Sequence, residues 1–161
     1  MEMNSFFEKE VTEFEFNSYH SMPSKNHSKL QTRIARLLDE AYETDYDILT
    51  AVDVELPTGK SVPDVAIYSK MNFDWSNDEI RLTSPPITAI EILSPRQAMT
   101  DLIDKNNIIY FPAGVKSSWL VVPLLKQVNV ILANGKISTF TSGLLKDPAT
   151  GIEISLDAIF K

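Results

Sequence analysis

Apolar positions along the chain switch between a period near 3.6 and a period of two, and the switches mark out the elements. Leu30, Ile34, Leu37, Leu38 and Ala41 recur at helical spacing behind Ser24 or Asn26 as a cap, which predicts an amphipathic helix over 25–43. "YDILTAVDVELP" (46–57) then alternates and is rich in β-branched residues, "TGK" supplies a turn, and "SVPDVAIYS" (61–69) reads as the partner strand of a hairpin. A polar excursion over 70–86 carries Phe73 and Trp75 as a candidate contact surface, and a proline pair ends it ahead of the strand "ITAIEILS" (87–94). Residues 96–112 return to helical period, closed by Pro112 and Gly114, and "SSWLVVPLL" (117–125) is nearly continuous in apolar residues, as in a strand buried on both faces. "QVNVILA", "NGK" and "ISTF" form a second hairpin, and "GIEISLDAIF" reads as a strand followed by a turn of helix. Near the start, "VTEFEF" (11–16) alternates as a short strand or ordered arm, so that 1–24 is an appendage within one domain spanning 1–161.

This order predicts an α/β domain whose mixed sheet is built around a β-α-β crossover from 87 to 124, with helices on its faces. In such a layout the carboxyl ends of the strands flanking the crossover bring polar groups together, and chemistry is expected there.

Composition narrows the function classes. The 161 residues are 43% hydrophobic and 23% charged, enough chain for a sizeable core. Twenty-two acidic residues outnumber 15 basic ones, a net charge of −7, so any surface that tracks phosphates must be local. The chain has no cysteine, which excludes disulfides, thiolate metal sites and cysteine nucleophiles. The acidic N-terminus does not resemble a signal peptide and no stretch is apolar enough to span a membrane, so a cytoplasmic location is the expectation.

One residue breaks the pattern. Along "AIEILSP" (89–95), Ile90 and Ile92 point to one face of the strand while Ala89, Glu91 and Leu93 point to the other, which places a carboxylate among apolar neighbours. Burying it alone would cost several kcal/mol of order, or raise its pKa until it became neutral, so it needs a partner. Asp64, just after Pro63, occupies a comparable position on its own strand. Two carboxylates on neighbouring strands can hold a hard divalent cation, with water and substrate oxygens completing the shell. In the following helix Ala98, Leu102 and Ile109 form a stripe in which Lys105 stands where the pattern asks for an apolar residue, one turn after Asp101. Its ammonium can reach the two carboxylates and orient water or offset charge on a phosphoryl group.

In these residues the chain resembles the Uma-two family of restriction endonuclease-like proteins, part of the PD-(D/E)xK nuclease superfamily. The resemblance runs from about residue 25 to the end and rests on "VPDVAIYS", "AIEILSP", Asp101, Lys105 and Tyr110 within "DLIDKNNIIYFPAGV", "SSWLVVP" and "GIEISLDAIF". It implies a restriction endonuclease-like mixed β-sheet core flanked by helices, and metal-dependent hydrolysis of nucleic-acid phosphodiester bonds, with DNA as the expected partner. Asp64 and Glu91 would ligate Mg²⁺ or Mn²⁺, and Lys105 would position the nucleophile and stabilise the transition state. The superfamily's usual lysine falls two residues after the acidic one, where this chain has Leu93 on the face of Glu91. The segment before the first helix also lacks the Tyr-Glu-Leu hairpin and glycine common in the family.

Each residue also has a plainer reading. Asp64 fits a strand start, Lys105 a side chain snorkelling past the sheet edge, and His27 a surface or capping residue at the helix start. Asp53 alternates toward solvent, and Gln31 lies one turn after His27; with Asp101 these are the accessory candidates. Trp119 and Tyr110 read as core aromatics without a chemical role. The alternative to an endonuclease is a catalytically inactive domain of the same fold used for protein or nucleic-acid binding or assembly, motivated by the acidic charge; a hydrolase of another substrate is a third, weaker reading. Restriction-like enzymes that cut both strands often pair, which makes a homodimer the expected state.

Overall fold

The computed structural model describes residues 22–161. The alternating segment 11–16, and most of the arm assigned to 1–24, lie outside the described residues. Helix α1 (Lys25–Tyr42) starts where expected, with the Ser24 hydroxyl accepting from the His27 amide. Its buried stripe is His27, Leu30, Ile34 and Leu38, so the stripe starts one turn earlier than the apolar residues suggest, and Ala41 is exposed.

Among the described residues six strands form the main sheet, in the order β1 (Tyr46–Thr50), β4 (Val65–Ser69), β5 (Thr88–Ile92), β6 (Ser117–Val122), β7 (Gln127–Leu132), β8 (Ile137–Phe140). All neighbours are antiparallel except β5 and β6, which are parallel and joined by the expected crossover. This is a mixed α/β architecture with helices on the sheet's faces. The expected first hairpin forms in one register throughout but is broken in two. β1 pairs with β4, and beyond a gap the short strands β2 (Val54–Leu56) and β3 (Gly59–Ser61) pair as a separate two-stranded ladder. Two residues explain the break. Ala51 has φ 51°, left-handed backbone that a strand cannot contain, and Pro63 on the facing chain has no N–H to donate. The turn of this hairpin is Pro57–Thr58, with Gly59 already paired to Leu56, so "TGK" extends into β3 rather than forming the turn itself.

The crossover differs from a plain helix over 96–112. An α-helix, α2 (Met99–Lys105), follows Ala98, which is an exposed cap residue and not part of the buried stripe. A π-turn over Asn106–Tyr110 then widens the backbone, with the Phe111 amide donating to the Asn106 carbonyl. The strand expected over 117–125 stops at Val122, where Pro123 opens a 3-10 turn over Pro123–Leu125 that leaves Leu124 and Leu125 exposed. A strand that the hydrophobic pattern does not mark, β9 (Leu144–Lys146), pairs with β10 (Glu153–Ser155) before the closing helix α3 (Leu156–Phe160).

Strand parity sorts the core. Ile90, Ile92, Val65, Ile67 and Trp119 pack with α1 and α3 on one face, whereas Leu102 and Leu120 on the other belong to the crossover side. A buried carboxylate, Asp147, ties the chain end to the sheet: Oδ2 accepts from Ser117 Oγ at 2.6 Å and Trp119 Nε1 at 2.8 Å. Beneath the 70–86 loop lies a cleft of about 890 Å³, with Phe73 stacked on an exposed Trp75 at 5.6 Å.

Candidate active site

The break in the first hairpin places Asp64. It sits one residue before β4, and the β4–β5 register, continued by one position, sets it opposite Glu91. One position further that register would set Pro63 against Ile92. With β3 turned away, the Ile92 amide finds its partner in the Asp64 side chain: Oδ2 accepts from Ile92 N at 2.7 Å. The same oxygen meets His27 Nε2 at 3.0 Å, and Gln31 Nε2 donates to the Asp64 carbonyl at 2.9 Å. Two residues from successive turns of α1 therefore fix this acid by side chain and backbone.

Glu91 is held from the other side. Its Oε1 accepts from Tyr110 Oη at 2.6 Å and from Lys105 Nζ at 3.2 Å, and Tyr110 also bonds Ser61 Oγ on β3 at 2.6 Å. Both donors depend on the π-turn. At 3.6 residues per turn, five residues separate two side chains by about 140° around a helix, so a regular helix could not direct residues 105 and 110 at one oxygen. The added turn width does so, in keeping with the frequency of π-turns at functional positions. The β2–β3 ladder braces this turn, since Thr58 Oγ1 donates to the Ile109 carbonyl at 2.6 Å.

Burial pushes the Glu91 carboxyl upward, and the nearby Asp64 charge pushes the same way, while Lys105 and the Tyr110 hydroxyl oppose them. The His27 imidazole is raised, chiefly by its hydrogen bond to Asp64 and then by the Asp64 and Glu91 charges, against the cost of burial. Burial first, and then Glu91, push the Tyr110 phenol far above its ordinary range, so it stays a donor.

The structure thus brings Asp64, Glu91 and Lys105 to one rim of the sheet, with His27 and Gln31 approaching from the α1 face. It does not recruit the other accessory candidates. Asp53 pairs with Arg81 at 3.0 Å, and Asp101 is exposed in the first turn of α2. The plainer reading of His27 as a surface residue is overturned by its burial at 7% exposure, although its backbone does receive the cap. Its spacing to Leu30, Ile34 and Leu38 carried that information, masked by its polarity. Tyr110 and Ser61 were missed as site residues: Tyr110 read as core, and no local pattern announces a π-turn.

The donor set fits a hard divalent cation. Asp64 Oδ1 and Glu91 Oε2 accept no hydrogen bond from the described residues, and both are carboxylate oxygens. Among the described residues no three His, Asp or Glu side chains converge as a complete cage, which leaves the other positions to water and substrate oxygens. The 890 Å³ cleft includes none of Asp64, Glu91, Lys105 or Tyr110; the convergent polar groups, rather than cavity size, mark the candidate site.

A solved structure shares this architecture. A crystal structure of a putative nuclease belonging to DUF820, from Anabaena variabilis ATCC 29413, matches with a TM-score of 0.75 and 21% identity over 86% of this chain and 82% of that one. The two chains therefore share a fold, a mixed sheet flanked by helices. The Uma2 family, described as "Putative restriction endonuclease", matches residues 18–155, and the chain belongs to that family. No curated protein matches the chain. Among the described residues no helix is long and apolar enough to cross a membrane.

Proposed function

We propose that this protein is a divalent-metal-dependent endonuclease that hydrolyses phosphodiester bonds of nucleic acid, with DNA as substrate in keeping with the family description. The observation that carries this reading is the placement of Asp64, just before β4, opposite Glu91 on β5, each with one oxygen that accepts no hydrogen bond from the described residues and with Lys105 on Glu91. Asp64 and Glu91 would hold Mg²⁺ or Mn²⁺, which when bound supplies Lewis acidity toward a phosphoryl oxygen and a more acidic water. His27 and the Ile92 amide both engage Asp64 Oδ2, which would leave Oδ1 for the metal. The Lys105 side chain is 26% exposed, so its ammonium would be able to leave Glu91 and orient the attacking water or a non-bridging phosphate oxygen. Neither role needs a broad basic surface, which agrees with the net charge of −7.

Cleavage of linear and supercoiled DNA and of RNA, titrated with Mg²⁺ and Mn²⁺, tests the reading. Asp64→Ala should lower the rate by at least about 10²-fold, and equal rates for wild type and variant refute it. One observation favours the inactive, binding reading instead: both carboxylates already have internal partners in His27, Lys105 and Tyr110. Calorimetry decides between them, because no heat on titration with either metal to millimolar levels leaves only the binding domain.

A further inference from the structure

We propose that Tyr110, backed by Ser61, is a positioning residue that presents Glu91 Oε2 to the metal and frees Lys105 for substrate; this rests on the functional reading above. A phenol has one proton, and that of Tyr110 is directed at Glu91 Oε1. The 2.6 Å contact to Ser61 therefore has the serine hydroxyl donating to the tyrosine oxygen. The result is a polarised chain, Ser61 to Tyr110 to Glu91, in which each bond strengthens the next in a buried setting.

The construction of the chain supports a role beyond filling space. Tyr110 is fully buried and Ser61 nearly so, so neither hydroxyl exchanges freely with solvent. The tyrosine reaches Glu91 only because of the π-turn, and the serine reaches the tyrosine only because the bent hairpin carries β3 over that turn. Both features depart from regular structure, and both serve the same carboxylate oxygen. Lys105 makes a longer contact to that oxygen, from a partly exposed side chain. With Tyr110 holding Oε1, departure of Lys105 leaves the carboxylate oriented. Outer-shell donors of this kind commonly change metal affinity by about 10–100-fold when removed.

The test is Mn²⁺ affinity of the folded protein without substrate, measured by calorimetry for wild type, Tyr110→Phe, Ser61→Ala, Glu91→Gln and the Tyr110→Phe/Glu91→Gln pair, with folding checked by circular dichroism. Tyr110→Phe should weaken Mn²⁺ binding about 10-fold, Ser61→Ala should weaken it by a smaller factor, and adding Tyr110→Phe to Glu91→Gln should weaken it no further. A purely structural tyrosine would lower the melting temperature and leave the affinity of the folded protein unchanged; that result overturns the proposal. Should Tyr110→Phe fail to fold, Ser61→Ala decides, and unchanged affinity there overturns it equally. If wild type binds no Mn²⁺, the functional reading itself fails, an outcome distinct from wild type and Tyr110→Phe binding alike.

Discussion

Replacing Lys105 by Met removes the cation that pairs with the buried Glu91 carboxylate at little change in volume, which makes its cost accessible from the structure. Lys105 Nζ lies 3.2 Å from Glu91 Oε1, with the lysine 26% exposed and the glutamate 7%. At about 4 Å, unit charges attract by about 1 kcal/mol in bulk water and about 4 kcal/mol at an effective dielectric of 20. A pair with one partly wetted member falls between these, and Tyr110 continues to serve the same oxygen, so the expected loss is about 2 kcal/mol at pH 8. For a chain of this size that is a fall in melting temperature of about 4–8 °C. The sign of the pH dependence follows from the burial of Glu91. Its folded pKa is raised, so the native state binds the proton more tightly than the unfolded chain, and this group's contribution to stability declines as pH rises from its ordinary value of 4.5 through the folded one. Removing Lys105 raises the folded pKa further and extends the decline. The gap between wild type and Lys105→Met should therefore be wider at pH 8 than at pH 4.5, because protonation of Glu91 removes the attraction that the lysine supplies. Urea unfolding in the presence of a chelator, at half-unit intervals of pH, measures it. A gap below about 0.5 kcal/mol at pH 8, or one that does not change with pH, would refute this account of Glu91.

Two further perturbations test the scaffold around the site. Gly59 has φ +150°, and a Cβ there would lie 3.2 Å from the Ile109 side chain, so Gly59→Ala should cost about 1–2 kcal/mol in urea unfolding and loosen the brace on the π-turn; an unchanged midpoint would show that the close approach is not needed. Asp147→Ala strands the Trp119 indole N–H and removes an acceptor from Ser117, for an expected loss of about 2–4 kcal/mol, with Mn²⁺ affinity of the folded protein retained. A loss of affinity there would mean that the chain end couples to the site.

Much of the layer arrangement was legible in the hydrophobic pattern, because burial on one face imposes a period that the sequence must carry. Leu30, Ile34 and Leu38 mark α1, and Ile90 and Ile92 mark the face of β5 that it covers. The glutamate that violates its strand's pattern could be located in the same way. Elements without a periodic signature were not legible. β9 is three residues with a single buried side chain, and the stop at Val122 is enforced by a proline inside an apolar run. Asp147 looks like a turn residue until Ser117 and Trp119, about 30 residues earlier, close on it.

The sequence by itself determined the mixed α/β order, the β-α-β crossover and the position of Glu91 on its strand, since these follow from periodicities of two and 3.6 and from the cost of an unpaired buried charge; Asp64, expected within a strand over 61–69, lies just before β4. Only the tertiary structure decided what surrounds those two acids. The bend at Ala51 and Pro63 frees the Ile92 amide for Asp64, burial of the first turn of α1 brings in His27, and the π-turn sets Lys105 and Tyr110 on one oxygen of Glu91. The helical spacing of His27 marks its burial, but its meeting with Asp64, like the bend and the π-turn, is a contact between residues remote in sequence or a local departure from regular geometry, and no pattern along a single strand or helix encodes either.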